Sequence, residues 1–210
     1  MGTRSVVAIP LDGGFKGRYI HWDGYPSGVG QNLLDIIKRD GLERAIEVLT
    51  RENYGWSSLN PDGPDSFDPQ IDYKDRAAWE AKEGRSHHSD PGGGDGRFRA
   101  VKGYGTAYTT VDGQSSPEEW ITDSSDDWGT EWAYVLNPNW ITVLQRRWGT
   151  PGSDGGQMIG MFGMGAESGE GWWRIIGHAY YHDSTVSASL TMQQLEDQAY
   201  AADEKEDADA

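Results

Sequence analysis

Cysteine is absent from the 210 residues, which removes disulfides, thiolate metal sites and cysteine nucleophiles together and makes a reducing cytoplasm the natural setting. Positive charge is also scarce. Eighteen Lys and Arg stand against 34 Asp and Glu, a formal charge of −16, so direct nucleic-acid binding and attraction to an anionic membrane are disfavoured. No apolar run approaches the roughly 18 to 20 residues of a spanning helix, and the N-terminus lacks the charged-then-apolar pattern of a secretory signal, so no membrane association is expected. The Gly-x-Ser-x-Gly elbow, the His-Glu-x-x-His helix and the Ser-x-x-Lys motif are missing too, so the sequence carries no recognised catalytic signature. Whether the chain is an enzyme is left open, with a non-enzymatic role favoured.

Ten Trp and ten Tyr but only four Phe give large rings that carry a polar handle, suited to a half-wet groove as much as to a core. Glycine, at 29 residues, is roughly twice its ordinary share, which calls for tight turns and long loops and argues against an all-helical fold. The length fits one domain.

Ser5-Val6-Val7-Ala8-Ile9 and Arg18-Tyr19-Ile20-His21-Trp22 read as two strands joined through Leu11-Asp12-Gly13-Gly14. Val29, Leu33, Leu34, Ile36 and Ile37 then recur at helical spacing up to Asp40-Gly41, and Leu42, Ala45, Ile46, Val48 and Leu49 repeat the pattern in a second helix, ending around 53–55. Residues 57–73 read as a surface loop, 75–83 as a short helix and 84–96, with His87 and His88, as a flexible segment. Strands interrupted at Gly103 and Gly105 are expected over 98–110, and a short helix begins at Ser116-Pro117-Glu118-Glu119. The clearest hairpin joins 130–136 to 140–144 through Asn137-Pro138-Asn139; both its faces are largely apolar, so it belongs in the middle of the sheet. The Met- and Gly-rich loop 149–171, a strand over 172–182 and a helix over 189–202 complete the chain.

The fold class is therefore α+β: one domain over 1–195, an antiparallel sheet of about five or six strands, helices packed on one face and long Gly-rich loops. Residues 196–210 hold seven acids and one base and read as an acidic, disordered tail.

Candidate site residues cluster in Arg18-Tyr19-Ile20-His21-Trp22-Asp23-Gly24-Tyr25-Pro26-Ser27-Gly28-Val29-Gly30. His21 and Asp23, two apart at a strand end, would share a face and could work as an acid/base pair or hold a metal; Asp23 could equally form an Asx turn. Gly28 and Gly30 ahead of a helix suggest an anion-binding N-terminus, although the spacing is neither a Walker nor a dinucleotide pattern and no Lys follows. Arg4 and Arg18, on the two paired strands, could meet a ligand anion, and Tyr25 completes the candidate ligand-binding set. His178 and His182 on the late strand, joined to His21 and Asp23, would supply ligands for a divalent metal.

Thr3-Arg4-Ser5, Tyr19-Ile20-His21-Trp22-Asp23-Gly24-Tyr25-Pro26, Trp56-Ser57-Ser58-Leu59 and the aromatic hairpin around Trp132-Ala133-Tyr134-Val135 and Trp140 resemble a family of uncharacterised proteins of tailed bacteriophages and prophages. That resemblance implies an accessory protein made in the cytoplasm of an infected cell, and nothing catalytic. The favoured reading is a protein that binds a host protein or a small ligand, in host takeover or counter-defence. A metal-dependent hydrolase or phosphodiesterase built on His21, Asp23, His178 and His182 is the alternative, and mimicry of nucleic acid by the acidic surface is a third.

Overall fold

A computed structural model describes residues 3–50, 55–62, 98–101, 103–108, 121–122, 129–147, 172–181 and 190–209. The expectations for 75–83, 84–96, 116–119 and 149–171, and those for His87, His88 and His182, lie outside the described residues.

The chain opens with the expected hairpin. Strands β1 (Ser5–Leu11) and β2 (Gly14–Ile20) pair antiparallel in unbroken register from Leu11 opposite Gly14 to Ser5 opposite Ile20. The loop is Asp12-Gly13, and Gly13 sits at a φ of +80° that a side chain would resist. One turn of π-helix (Pro26–Gly30) leads into α1 (Gln31–Asp40), Gly41 breaks the helix at φ +82°, and α2 (Leu42–Leu49) follows. Arg39 and Tyr104 hold the end of α1: both Asp40 carboxylate oxygens accept from Arg39, and Tyr104 Oη donates to one of them at 2.5 Å. Chiefly through the Arg39 hydrogen bond, the Asp40 carboxyl is held at about 2.

Four expectations are corrected here. The sheet is mixed, not antiparallel, because β1 lies parallel to β7 (Trp132–Leu136) and β2 parallel to β3 (Trp56–Leu59). It is also larger than five or six strands: nine are described, with β4 (Phe98–Val101), β5 (Gly105–Tyr108), β6 (Ile121–Thr122), β8 (Trp140–Arg147) and β9 (Trp172–Tyr180) completing it in the order β4-β5-β3-β2-β1-β7-β8-β9, and β6 on β2. The start of the loop expected over 57–73 is in fact β3, since helices α1 and α2 carry the chain back over the sheet to add Trp56–Leu59 beside β2. Finally, the segment from 196 onward belongs to helix α3 (Met192–Asp209), where a disordered tail was expected.

Burial explains the order. Every residue of β7 is buried: Trp132, Tyr134 and Leu136 enter the core that α1, α2 and α3 cover, and Ala133 and Val135 enter a second cluster on the opposite face. A strand apolar on both faces is satisfied only inside the sheet, as the hairpin sequence implied. The second cluster is built from strand residues, among them Val6, Phe15, Tyr19, Leu144 and Trp173. Among the described residues no helix is long and apolar enough to cross a membrane.

Candidate functional site

The segment 18–30 runs off the end of β2, an internal strand of the sheet, and turns into the helices on the helical face. Its alternation stops at Asp23, whose φ of +56° is a left-handed conformation that Asp tolerates better than most side chains. His21 and Asp23 therefore do not act as a same-face strand pair. The His21 ring turns to Tyr19, with Tyr19 Oη and His21 Nδ1 2.6 Å apart, and meets the edge of Trp22 at a centroid distance of 4.5 Å. The Asp23 side chain instead accepts from Tyr25 Oη at 3.3 Å, and the Asp23 charge is the main reason the Tyr25 phenol is raised.

Beyond Asp23 the corner is closed by its own fold. Val29 N–H donates to Asp23 O at 2.8 Å, Gly24 N–H to Thr3 O at 2.9 Å, and buried Tyr134 Oη to Gly24 O at 2.7 Å. Burial raises the Tyr134 phenol well above its ordinary range. Gly28 is needed because a Cβ there would lie 2.4 Å from Asp23 O, whereas a Cβ on Gly30 would lie 3.0 Å from both Met192 Sδ and Tyr134 Cε1, side-chain atoms that need give only a few tenths of an ångström. The amide expected to meet an anion has one from within the chain: Ser27 N–H donates to Glu196 Oε2 on α3 at 2.8 Å. Gly28 and Gly30 thus serve close packing, and the negative end of that interaction comes from the presumed tail.

Before Asp23 the arrangement is more open. Ser5 opposes Ile20 in the ladder, so Arg4 and His21 leave adjacent strands at one end of the sheet. Burial and then the positive charge of Arg4 lower the His21 pKa, which leaves the imidazole neutral at pH 7. Tyr108 on β5 joins this rim: burial, then the neighbouring Tyr19, push its phenol up to about 12, against a hydrogen bond from Ser57 and the charge of Arg4. Trp22 is 40% exposed, one of three large apolar side chains of the described residues that face solvent. Arg18, by contrast, is buried at 1% exposure and faces away from this rim, opposite Val7 on the helical side.

His178 stands apart from both. It lies on β9, four strands from β2 in the sheet order, hence about 19 Å away at the usual interstrand spacing. Its neighbours are Thr142 and Trp140, and burial lowers its pKa. His21, Asp23 and His178 do not converge, and no group of three His, Asp or Glu suited to a metal occurs among the described residues. The rim residues missed from the sequence divide in two. Tyr19 and Trp22 were legible from their spacing to His21; Ser57 and Tyr108 become neighbours only through the β2-β3-β5 pairing.

No protein-family model matches the chain, and no curated protein or solved structure is significantly similar to it.

Proposed function

We propose that this chain is a binding protein, made in the cytoplasm of a phage-infected cell, that contacts a host protein or a small ligand through the rim formed by Arg4, His21, Trp22 and Tyr108, with buried Tyr19 holding His21 from behind. The phage setting rests on the resemblance carried by the Tyr19-to-Pro26 motif. The contact surface rests on one observation above others, the 40% exposed Trp22 ring held edge-on by His21. A large ring fixed by a neighbour loses little entropy on binding, and Trp is among the residues that most often carry interface energy. The Tyr108 phenol and the Arg4 charge nearby would supply polar selectivity around that anchor.

The test is a capture experiment with the full chain in host lysate, comparing the natural protein with Trp22→Ala. A specific protein or copurifying small molecule, retained by the natural chain and lost by the variant, is the expected result. Recovery of neither by the natural chain, or equal recovery by both, overturns the proposal.

A further inference from the structure

A second histidine, independent of the rim, is fixed by hydrogen-bond bookkeeping alone. Thr142 on β8 and His178 on β9 face each other across the ladder, with Thr142 Oγ1 and His178 Nδ1 3.1 Å apart. The same hydroxyl oxygen accepts from Asn137 Nδ2 at 3.0 Å and from Trp140 Nε1 at 3.2 Å. Neither donor is ambiguous. The indole nitrogen can only donate, and the Asn137 amide is oriented by its other contact, 3.0 Å from Val135 O, a carbonyl that can only accept. A hydroxyl has two lone pairs and one hydrogen. Both lone pairs are filled, so the hydrogen is left for His178 Nδ1.

We infer that His178 is held as the neutral tautomer that carries its proton on Nε2, and that protonating the ring breaks the Thr142 hub and releases Trp140 or Asn137. An imidazolium would point an N–H at an oxygen that already accepts twice, and the Thr142 hydrogen would lose its acceptor. One of the two N–H donors must then leave. Asn137 opens the turn between β7 and β8, and the Trp140 ring packs on His178 and Tyr180 at centroid distances of 5.7 and 5.9 Å. The released group therefore loosens that turn or re-aims a partly exposed aromatic surface. In that tautomer a metal could take His178 only by displacing the Thr142 hydrogen bond.

The described neighbours leave the ring's charge unopposed. On β8 it meets Thr142 and Trp140, neither of which carries a charge. Burial lowers the His178 pKa below its ordinary 6.5. The neutral network is thus intact at neutral pH and is lost as the pH falls through that depressed value.

Long-range proton–nitrogen NMR on the uniformly labelled full chain tests this, with His178 assigned through His178→Gln. Above its titration His178 should show an unprotonated Nδ1 and a protonated Nε2, and the Trp140 indole N–H or the Asn137 amide should shift with the same midpoint as the ring. Thr142→Val should uncouple those signals, and Thr142→Ser should restore the coupling. A proton on Nδ1 at neutral pH, or both donor signals unmoved while the ring titrates, overturns the inference. The natural chain alone decides it if Thr142→Val does not fold.

Discussion

The two halves of the segment 18–30 adjoin in sequence and are built on opposite principles. From Asp23 to Gly30 the polar groups named above find partners inside the protein, down to a carboxylate that α3 brings to Ser27 N–H. From Tyr19 to Trp22 the chain presents a half-buried imidazole and an exposed indole at the sheet's end. The difference shows that a glycine-rich turn before a helix is not by itself a ligand site, because the fold can supply the anion. The residues that remain available to a partner are those the turn leaves behind on the strand side.

The comparison is broken most severely by filling the closed half. Gly28→Ala puts a methyl 2.4 Å from the backbone oxygen of Asp23, which cannot swing away as a side chain would, so a loss of about 2–3 kcal/mol is expected. Gly30→Ala is the control. Its nearest atoms belong to the Met192 and Tyr134 side chains, and a helix interior favours Ala over Gly by up to about 1 kcal/mol, so its net effect should be small. Urea unfolding of both variants measures this, and equal losses would contradict the geometry.

A smaller effect follows from removing the internal anion. Glu196→Ala leaves Ser27 N–H without its charge-assisted acceptor and should cost about 1–2 kcal/mol; Glu196→Gln keeps an acceptor oxygen and should recover part of it. The same helix is also tied down at Asp203, which accepts from Arg147, Arg174 and Gln145. If both Glu196 variants unfold at the same urea concentration as the natural chain, the closed half is not held by α3.

How far this was legible in the sequence follows from the range of each interaction. Hairpins β1–β2 and β7–β8 and the break between α1 and α2 were readable, since Asp12-Gly13, Asn137-Pro138-Asn139 and Gly41 act on their own neighbours. The parallel pairings β1–β7 and β2–β3 were not, because nothing local in Ser5–Leu11 names a partner more than a hundred residues later. From the sequence, helix α3 reads only to 202, and the acids from 196 onward read as a tail, for a related reason. Its apolar contacts are few, Met192, Leu195 and Ala199, and its acids look like solvated charge until Glu196 and Asp203 are seen to face donors. Those same long-range pairings turned two glycines from a supposed anion site into packing positions and separated His21 from His178.

Trp22→Ala is the smallest perturbation of the fold and the sharpest test of the contrast. The ring is 40% exposed and its described ring contact is the edge-on meeting with His21, a kind of contact worth about 0.5–1.5 kcal/mol in double-mutant cycles and less where water reaches it. Unfolding free energy should therefore move by no more than about 0.5 kcal/mol. The Tyr19–His21 hydrogen bond does not depend on the indole, so His21 should keep its depressed titration, readable by NMR. A large loss of stability would mean that Trp22 closes the rim as Tyr134 closes the corner, and the open half of the segment would then be structural as well.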